Sequence, residues 1–191
     1  MPLLVPPPRI KPWVRKVVTV VDRCRVFDVL NAATILPSGE PCPHPIYTIS
    51  CNTSCNVLAI TANDEAVFVW QYRHGTDAMS LEIPGGMIDT GEALLDGAAR
   101  ELREETGYEV DSLAHLQTVY ANPSLQNNLH HTFVGRGARL TSPPPLSDVE
   151  ECEVALVKLS DLASLLNEGY VTNALCVAAI ERFLRDPQPS A

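Results

Sequence analysis

Hydrophobic positions along the chain follow two periods. Val14 to Val21 (VRKVVTVV) and Cys24 to Ala33 (CRVFDVLNAA) are β-branched and alternate, which predicts two strands around a turn at Asp22-Arg23. Pro37-Ser38-Gly39-Glu40 has turn composition, and Ile46 to Ser50 reads as another strand. Val57 to Thr61 and Ala66 to Tyr72 are apolar on successive residues, as in a sheet covered on both faces. They flank Ala62-Asn63-Asp64-Glu65, a short hairpin loop. Leu113 to Tyr120, His131 to Arg136 and Cys152 to Leu159 are further strands. Between these the period becomes helical. A helix is predicted from about Thr90, placed as an N-cap with Glu92 close behind, to Gly107, a residue suited to the position after a helix end. At roughly 100° per residue, Leu95, Ala98, Ala99, Leu102 and Thr106 form one stripe, the predicted core face. Gly97, Glu101, Glu104 and Glu105 form another, turned away from it. Ser160-Asp161 is predicted to cap a short helix. Thr172 or Asn173 opens a last one, with Leu175, Ala178, Ala179, Arg182 and Phe183 on its partly apolar face.

The acidic face of the central helix has two readings. Glu101 and Glu105 are neighbours at i and i+4, and like charges at that spacing destabilise a helix. The run is either a solvated face or a gathering of oxygen ligands for a hard divalent cation, which is usually shared with substrate phosphates. The wider spacing decides between them. From Gly86 to Gly107 the chain reads G-x5-E-x7-R-E-x-x-E-E-x-G, with Leu102 and Tyr108 at apolar positions. This resembles the Nudix box at every defining position.

The resemblance implies an α/β fold of the α+β kind. It is an α/β/α sandwich with a mixed central sheet, the box as loop–helix–loop, and an additional N-terminal antiparallel sheet. The implied organisation is a proline-rich arm at residues 1–13, an N-terminal β subdomain at 14–48 and the Nudix domain at 49–187. It implies Mg²⁺, with Mn²⁺ as the alternative, held by Glu101, Glu104, Glu105 and the Gly85 carbonyl. Arg100 would pair with Glu92 or Glu104 and orient the ligands.

Gln71-Tyr72-Arg73, followed by Leu81-Glu82-Ile83-Pro84-Gly85-Gly86, resembles the ADP-ribose pyrophosphatase branch. So does Pro123, which lies 16 residues past Gly107. By that resemblance Arg73 faces the substrate, Glu82 belongs to the phosphate-binding and metal-binding segment, and Pro123 borders the site. Leu125-Gln126-Asn127-Asn128 departs from the branch, which has a glycine there. Asn127, Asn128, His130 and His131 either donate to substrate or close a turn. Adjacent strand residues point to opposite faces, which argues against a metal role for the histidine pair. An acid from the loop before Cys152, Glu150 or Glu151, is implied to complete the catalytic site. The proton acceptor is then Glu104 or one of these two.

The implied reaction is metal-dependent hydrolysis of the pyrophosphate of ADP-ribose or a related nucleoside diphosphate sugar, giving a nucleoside monophosphate and a sugar phosphate. The alternatives are a hydrolase that sanitises nucleoside triphosphates and a non-catalytic nucleotide-binding regulator. The branch also implies a homodimer.

Composition adds limits. The 191 residues are 46% hydrophobic, enough for a core, and carry a net charge of −9. That charge opposes nonspecific nucleic-acid binding but not a small phosphate substrate, to which a metal supplies positive charge. MPLLVPPPRIKPW has neither the basic start nor the apolar run of a signal peptide, and no segment approaches a membrane span. The six cysteines are scattered. Only Cys51 and Cys55 are close, without a second pair for zinc. Reduced thiols in a cytoplasmic protein follow from this.

Overall fold

In a computed structural model the described residues are 5, 7–143 and 151–187, and they form two compact units. The first comprises the N-terminal stretch to Cys51 together with Asn122–Asn127. It is an antiparallel sheet of β1 (Val14–Arg23), β2 (Asp28–Ile35) and β3 (Ile46–Ser50), in that order. The connection between the first two strands lies later than Asp22-Arg23. β1 runs through both residues, and the turn closes where Cys24 N–H donates to Phe27 O. Register shifts within β1 absorb the extra residues. Asn127 ties its own segment to the end of β3. Its Nδ2 donates to Ser50 Oγ at 3.0 Å, and its backbone N–H donates to Ile49 O at 3.2 Å.

The second unit holds a mixed sheet ordered β10-β5-β4-β9-β7. Its strands are β4 (Ser54–Thr61), β5 (Glu65–Arg73), β6 (Ala78–Glu82), β7 (Tyr108–Glu109), β8 (Ser112–Tyr120), β9 (Leu129–Leu140) and β10 (Cys152–Lys158). β6 pairs with β5, and β8 with β9. The pairing of β4 with β9 is parallel. α1 (Leu94–Thr106) covers one face, and α2 (Leu162–Asn167) and α3 (Ala174–Arg185) the other. The alternation of β4 serves both faces. Cys55, Val57 and Ala59 pack with Ala98 and Leu102 of α1, while Leu58 and Ile60 pack with Leu162, Ala179, Ile180 and Phe183. This is why β4 reads as continuously apolar. No helix among the described residues is long and apolar enough to cross a membrane.

The helices differ from the sequence expectation in detail. α1 starts at Leu94, not near Thr90. Thr90 and Gly91 form a turn in which Gly91 takes φ +86°, and the N-cap Ala93 makes no side-chain bond. Gly107 ends the helix in the left-handed conformation at φ 72°. Leu95 is 50% exposed and Ala99 is exposed, so they are not core. They line an open groove with Arg103, Val110 and Leu113. Gly97, expected on the outer face, is buried, because Ile88 and Glu92 lie against it. The Gly86–Glu92 loop therefore lies against the Gly97 part of the acidic face. Neither Ser160 nor Asp161 caps α2 with its side chain; Ser160 Oγ donates to Asp161 instead. Asn173 is the cap of α3, whose buried positions are Cys176, Ala179, Ile180 and Phe183. Arg182 is directed to Asp186.

Candidate active site

α1 brings the box acids against the loop that precedes it. Gly85 and Gly86 make this approach possible. A Cβ on Gly86 would lie 2.5 Å from Glu101 Oε2, and one on Gly85 would overlap the Cys55 carbonyl oxygen and sit 2.5 Å from Asn56 Cα. The loop runs beside β4 through Val57 N–H to Pro84 O and Cys55 N–H to Gly86 O.

Arg100 is the hub of the exposed half. Its Nε and Nη2 donate to the two oxygens of Glu92, each at 2.9 Å. Nη1 donates to Glu101 Oε1 at 2.8 Å and to Glu104 Oε2 at 3.1 Å, and Nη2 also donates to Met87 O at 3.0 Å. One guanidinium thus joins three acids and the loop backbone. The Arg100 bonds, with a further one from Asp89 N–H, hold the Glu92 carboxyl down at about 2. Glu104 is the open member, with its side chain 49% exposed.

Glu105 occupies the buried half. Gly85 N–H donates to its Oε2 at 2.7 Å and Gln71 Nε2 to its Oε1 at 2.5 Å. Burial nevertheless pushes its carboxyl up to about 7, assisted by the charge of Glu101 and opposed by the two hydrogen bonds. Among the described residues no three His, Cys, Asp or Glu side chains converge as a ready metal cage. The donor set still fits a hard divalent cation. It is all oxygen, it lines a glycine cradle, and its innermost carboxylate is short of positive charge.

Arg73 and Glu82 meet across the β5–β6 pair. Arg73 Nε and Nη2 donate to the two oxygens of Glu82 at 2.8 Å each. Glu82 is 5% exposed at its side chain and Arg73 44%. Burial opposes ionisation of Glu82, but the bonds and charge of Arg73, with Ser80 and Asn173, outweigh it and keep the carboxyl below its ordinary value.

Pro123 and Asn127 belong to the first unit, where Asn127 serves β3. Glu150 lies outside the described residues. Glu151 is exposed and directly precedes Cys152, which pairs with Gln71. Chain entering β10 therefore arrives beside the residue that holds Glu105. His130 and His131 separate as adjacent strand residues must. His130 Nδ1 bonds Ser54 Oγ at 2.8 Å and His131 Nδ1 bonds Thr118 Oγ1 at 2.9 Å. Burial drives His130 down to about 4, with the charge of His131 adding to it.

Two contacts escaped the sequence reading. Gln71 shares a strand face with Arg73, an alternation that could have drawn it into the site. Asn173 Nδ2 reaches Glu82 Oε2 at 2.6 Å across a separation of 91 residues, for which no local pattern exists.

Residues 53–177 match the family described as the NUDIX domain. The chain belongs to the NUDIX family. It is 29% identical over 158 residues to the ADP-ribose pyrophosphatase of Bacillus subtilis, covering 82% of this chain and 84% of that one. It is 28% identical over 157 residues to the CMP-5'-(N-acetyl-N-hydroxy-3-aminopropyl)phosphonate hydrolase of Streptomyces rubellomurinus, covering 82% and 75%. The crystal structure of an ADP compounds hydrolase superposes with a TM-score of 0.79 at 22% identity, covering 94% of this chain and 96% of that one, a likeness of fold.

Proposed function

We propose that this NUDIX protein hydrolyses the pyrophosphate bond of ADP-ribose or a closely related nucleoside diphosphate sugar, releasing a nucleoside monophosphate and a sugar phosphate. The observation that carries this reading is the junction at Glu105. There the strand bearing Gln71 and Arg73, the Gly85-Gly86 loop and the acidic helix meet on one carboxylate. The relative named an ADP-ribose pyrophosphatase supports the substrate class.

Glu101, Glu104, Glu105 and the Gly85 carbonyl would hold divalent metal, Mg²⁺ in first place and Mn²⁺ in second. Bound there, the metal neutralises pyrophosphate charge and makes water more acidic. The chain's own residues do the rest. Arg73, fixed by Glu82, presents its exposed guanidinium to the pyrophosphate. Arg100 keeps Glu101 and Glu104 oriented by bonding both together with Glu92. The half-exposed Glu104, or Glu150 or Glu151 on the segment leading into β10, accepts the proton of the attacking water.

The six cysteines are free thiols, which suits a reducing compartment such as the cytoplasm. We further propose a homodimer formed through the N-terminal sheet. β1 exposes Val14, Val17, Val18, Val20 and Val21, so apolar side chains stand open on both of its faces. Sedimentation at micromolar concentration is expected to give twice the chain mass. Monomer mass alone rejects the dimer.

The activity is tested by phosphate release on a panel with Mg²⁺ or Mn²⁺, using a phosphatase to report AMP or sugar phosphate. The panel holds ADP-ribose, other nucleoside diphosphate sugars, dinucleoside polyphosphates, NADH and nucleoside triphosphates. The highest kcat/KM is expected on ADP-ribose or another diphosphate sugar. Preference for a triphosphate, or binding of ADP-ribose with no product over hours, rejects the proposal.

A further inference from the structure

Asn173 opens α3, and capping alone does not require asparagine. Serine, threonine and aspartate supply the same side-chain acceptor. Here Oδ1 accepts from Leu175 N–H at 3.0 Å and Cys176 N–H at 3.5 Å, while the amide's other end donates to Glu82 Oε2 at 2.6 Å. An asparagine does both at once because acceptor and donor lie on one rigid planar group. The cap fixes the rotamer, and the fixed rotamer aims the NH2 at Glu82. Glu82 in turn accepts two bonds from Arg73. The result is a chain of four links: the helix end, Asn173, Glu82 and the exposed guanidinium of Arg73.

We infer that Asn173 is a positioning residue for Arg73, through which the C-terminal helix sets how that arginine meets the substrate. Without the Asn173 bond, Glu82 keeps only Arg73 and Ser80 as side-chain partners, and its carboxylate, no longer tied to α3, shifts. Arg73 follows it, because two parallel bonds tie the guanidinium plane to the carboxylate plane. The inference rests on the proposed contact of Arg73 with the pyrophosphate.

The test compares Asn173→Ser, Arg73→Ala and the double variant on ADP-ribose with saturating Mg²⁺. Serine keeps a capping acceptor but is too short to replace the amide donor. Asn173→Ser is expected to raise KM roughly three- to tenfold and to leave kcat within about twofold. Its melting temperature should stay within about 2 °C of the parent. Because Asn173 acts through Arg73, the double variant should bind substrate no worse than Arg73→Ala alone. A normal KM in Asn173→Ser, with a raised KM in Arg73→Ala, overturns the inference and spares the role of Arg73. Full multiplication of the two effects in the double variant also overturns it. A normal KM in Arg73→Ala rejects the substrate contact itself and the inference with it. Should the serine variant unfold at assay temperature, Asn173→Asp takes its place, keeping the cap and setting a carboxylate beside Glu82. The same rise in KM is expected, and its absence is equally decisive.

Discussion

Glu105→Gln is expected to lower kcat by on the order of 10²–10³-fold at saturating metal while making the metal-free protein more stable at pH 8. Both effects come from one carboxylate. Glu105 is buried beside Glu101, and its carboxyl sits at about 7 in the folded chain against an ordinary 4.5. The folded state therefore binds more protons than the unfolded one between those values. Its contribution is fully present below pH 4.5 and is lost as pH rises through 7. The loss above pH 7 is on the order of 3 kcal/mol. Glutamine carries no charge and keeps the shape, and Gln71 can turn its amide to offer whichever end the new side chain needs. Comparing chemical unfolding of the two proteins at pH 5 and pH 8 in chelator isolates the term. The difference should be small at pH 5 and favour the variant at pH 8. Added Mg²⁺ should stabilise the parent and leave the variant nearly unmoved. Near-normal turnover in the variant, or equal stabilisation of both proteins by Mg²⁺, contradicts the ligand role.

The gathering of acids around Arg100 was legible because its spacing is local. Glu101, Glu104 and Glu105 lie on neighbouring turns of α1, so a one-dimensional pattern maps onto a surface. The strands β4 and β5 were legible because burial on both faces writes continuous apolar runs. β6 was not, since Ala78–Glu82 lacks β-branched residues and pairs only with the strand before it. The start of α1 was misread for a different reason. Thr90 has the chemistry of a cap, but Glu92 behind it is drawn to Arg100, eight residues on, and the chain must turn before it can wind. The exposed Leu95 and Ala99 show the limit of a stripe argument, because periodicity locates a face but not the width that a particular sheet covers. The links from Gln71 to Glu105 and from Asn173 to Glu82 span 34 and 91 residues, and only the folded sheet brings them together.

The two glycines before the helix are expected to fail in opposite ways when given a methyl group. In Gly86→Ala the new Cβ meets Glu101 Oε2 at 2.5 Å and Glu101 Cδ at 2.7 Å. These atoms end a flexible side chain, which can swing away at little cost to the fold. Swinging away pulls Glu101 out of its place beside Arg100 and the loop. Turnover should fall roughly 10- to 100-fold, while the melting temperature moves by no more than about 3 °C. In Gly85→Ala the obstacles are the Cys55 carbonyl oxygen and Asn56 Cα, backbone atoms of a buried strand that cannot yield. β4 and the loop must separate, breaking the bonds of Val57 to Pro84 and Cys55 to Gly86. The cost is roughly 3 kcal/mol or more, by the overpacking of a close-packed core and the loss of these bonds. That corresponds to a melting temperature lower by about 6–12 °C for a chain of this size. Thermal unfolding and kcat measured on both variants separate the cases. A Gly86→Ala protein that is grossly destabilised, or a Gly85→Ala protein that melts like the parent, refutes the division of labour. Expected instead is that Gly86 makes room for a functional side chain and Gly85 for the main chain itself, so that the same added methyl costs activity at one position and the fold at the other.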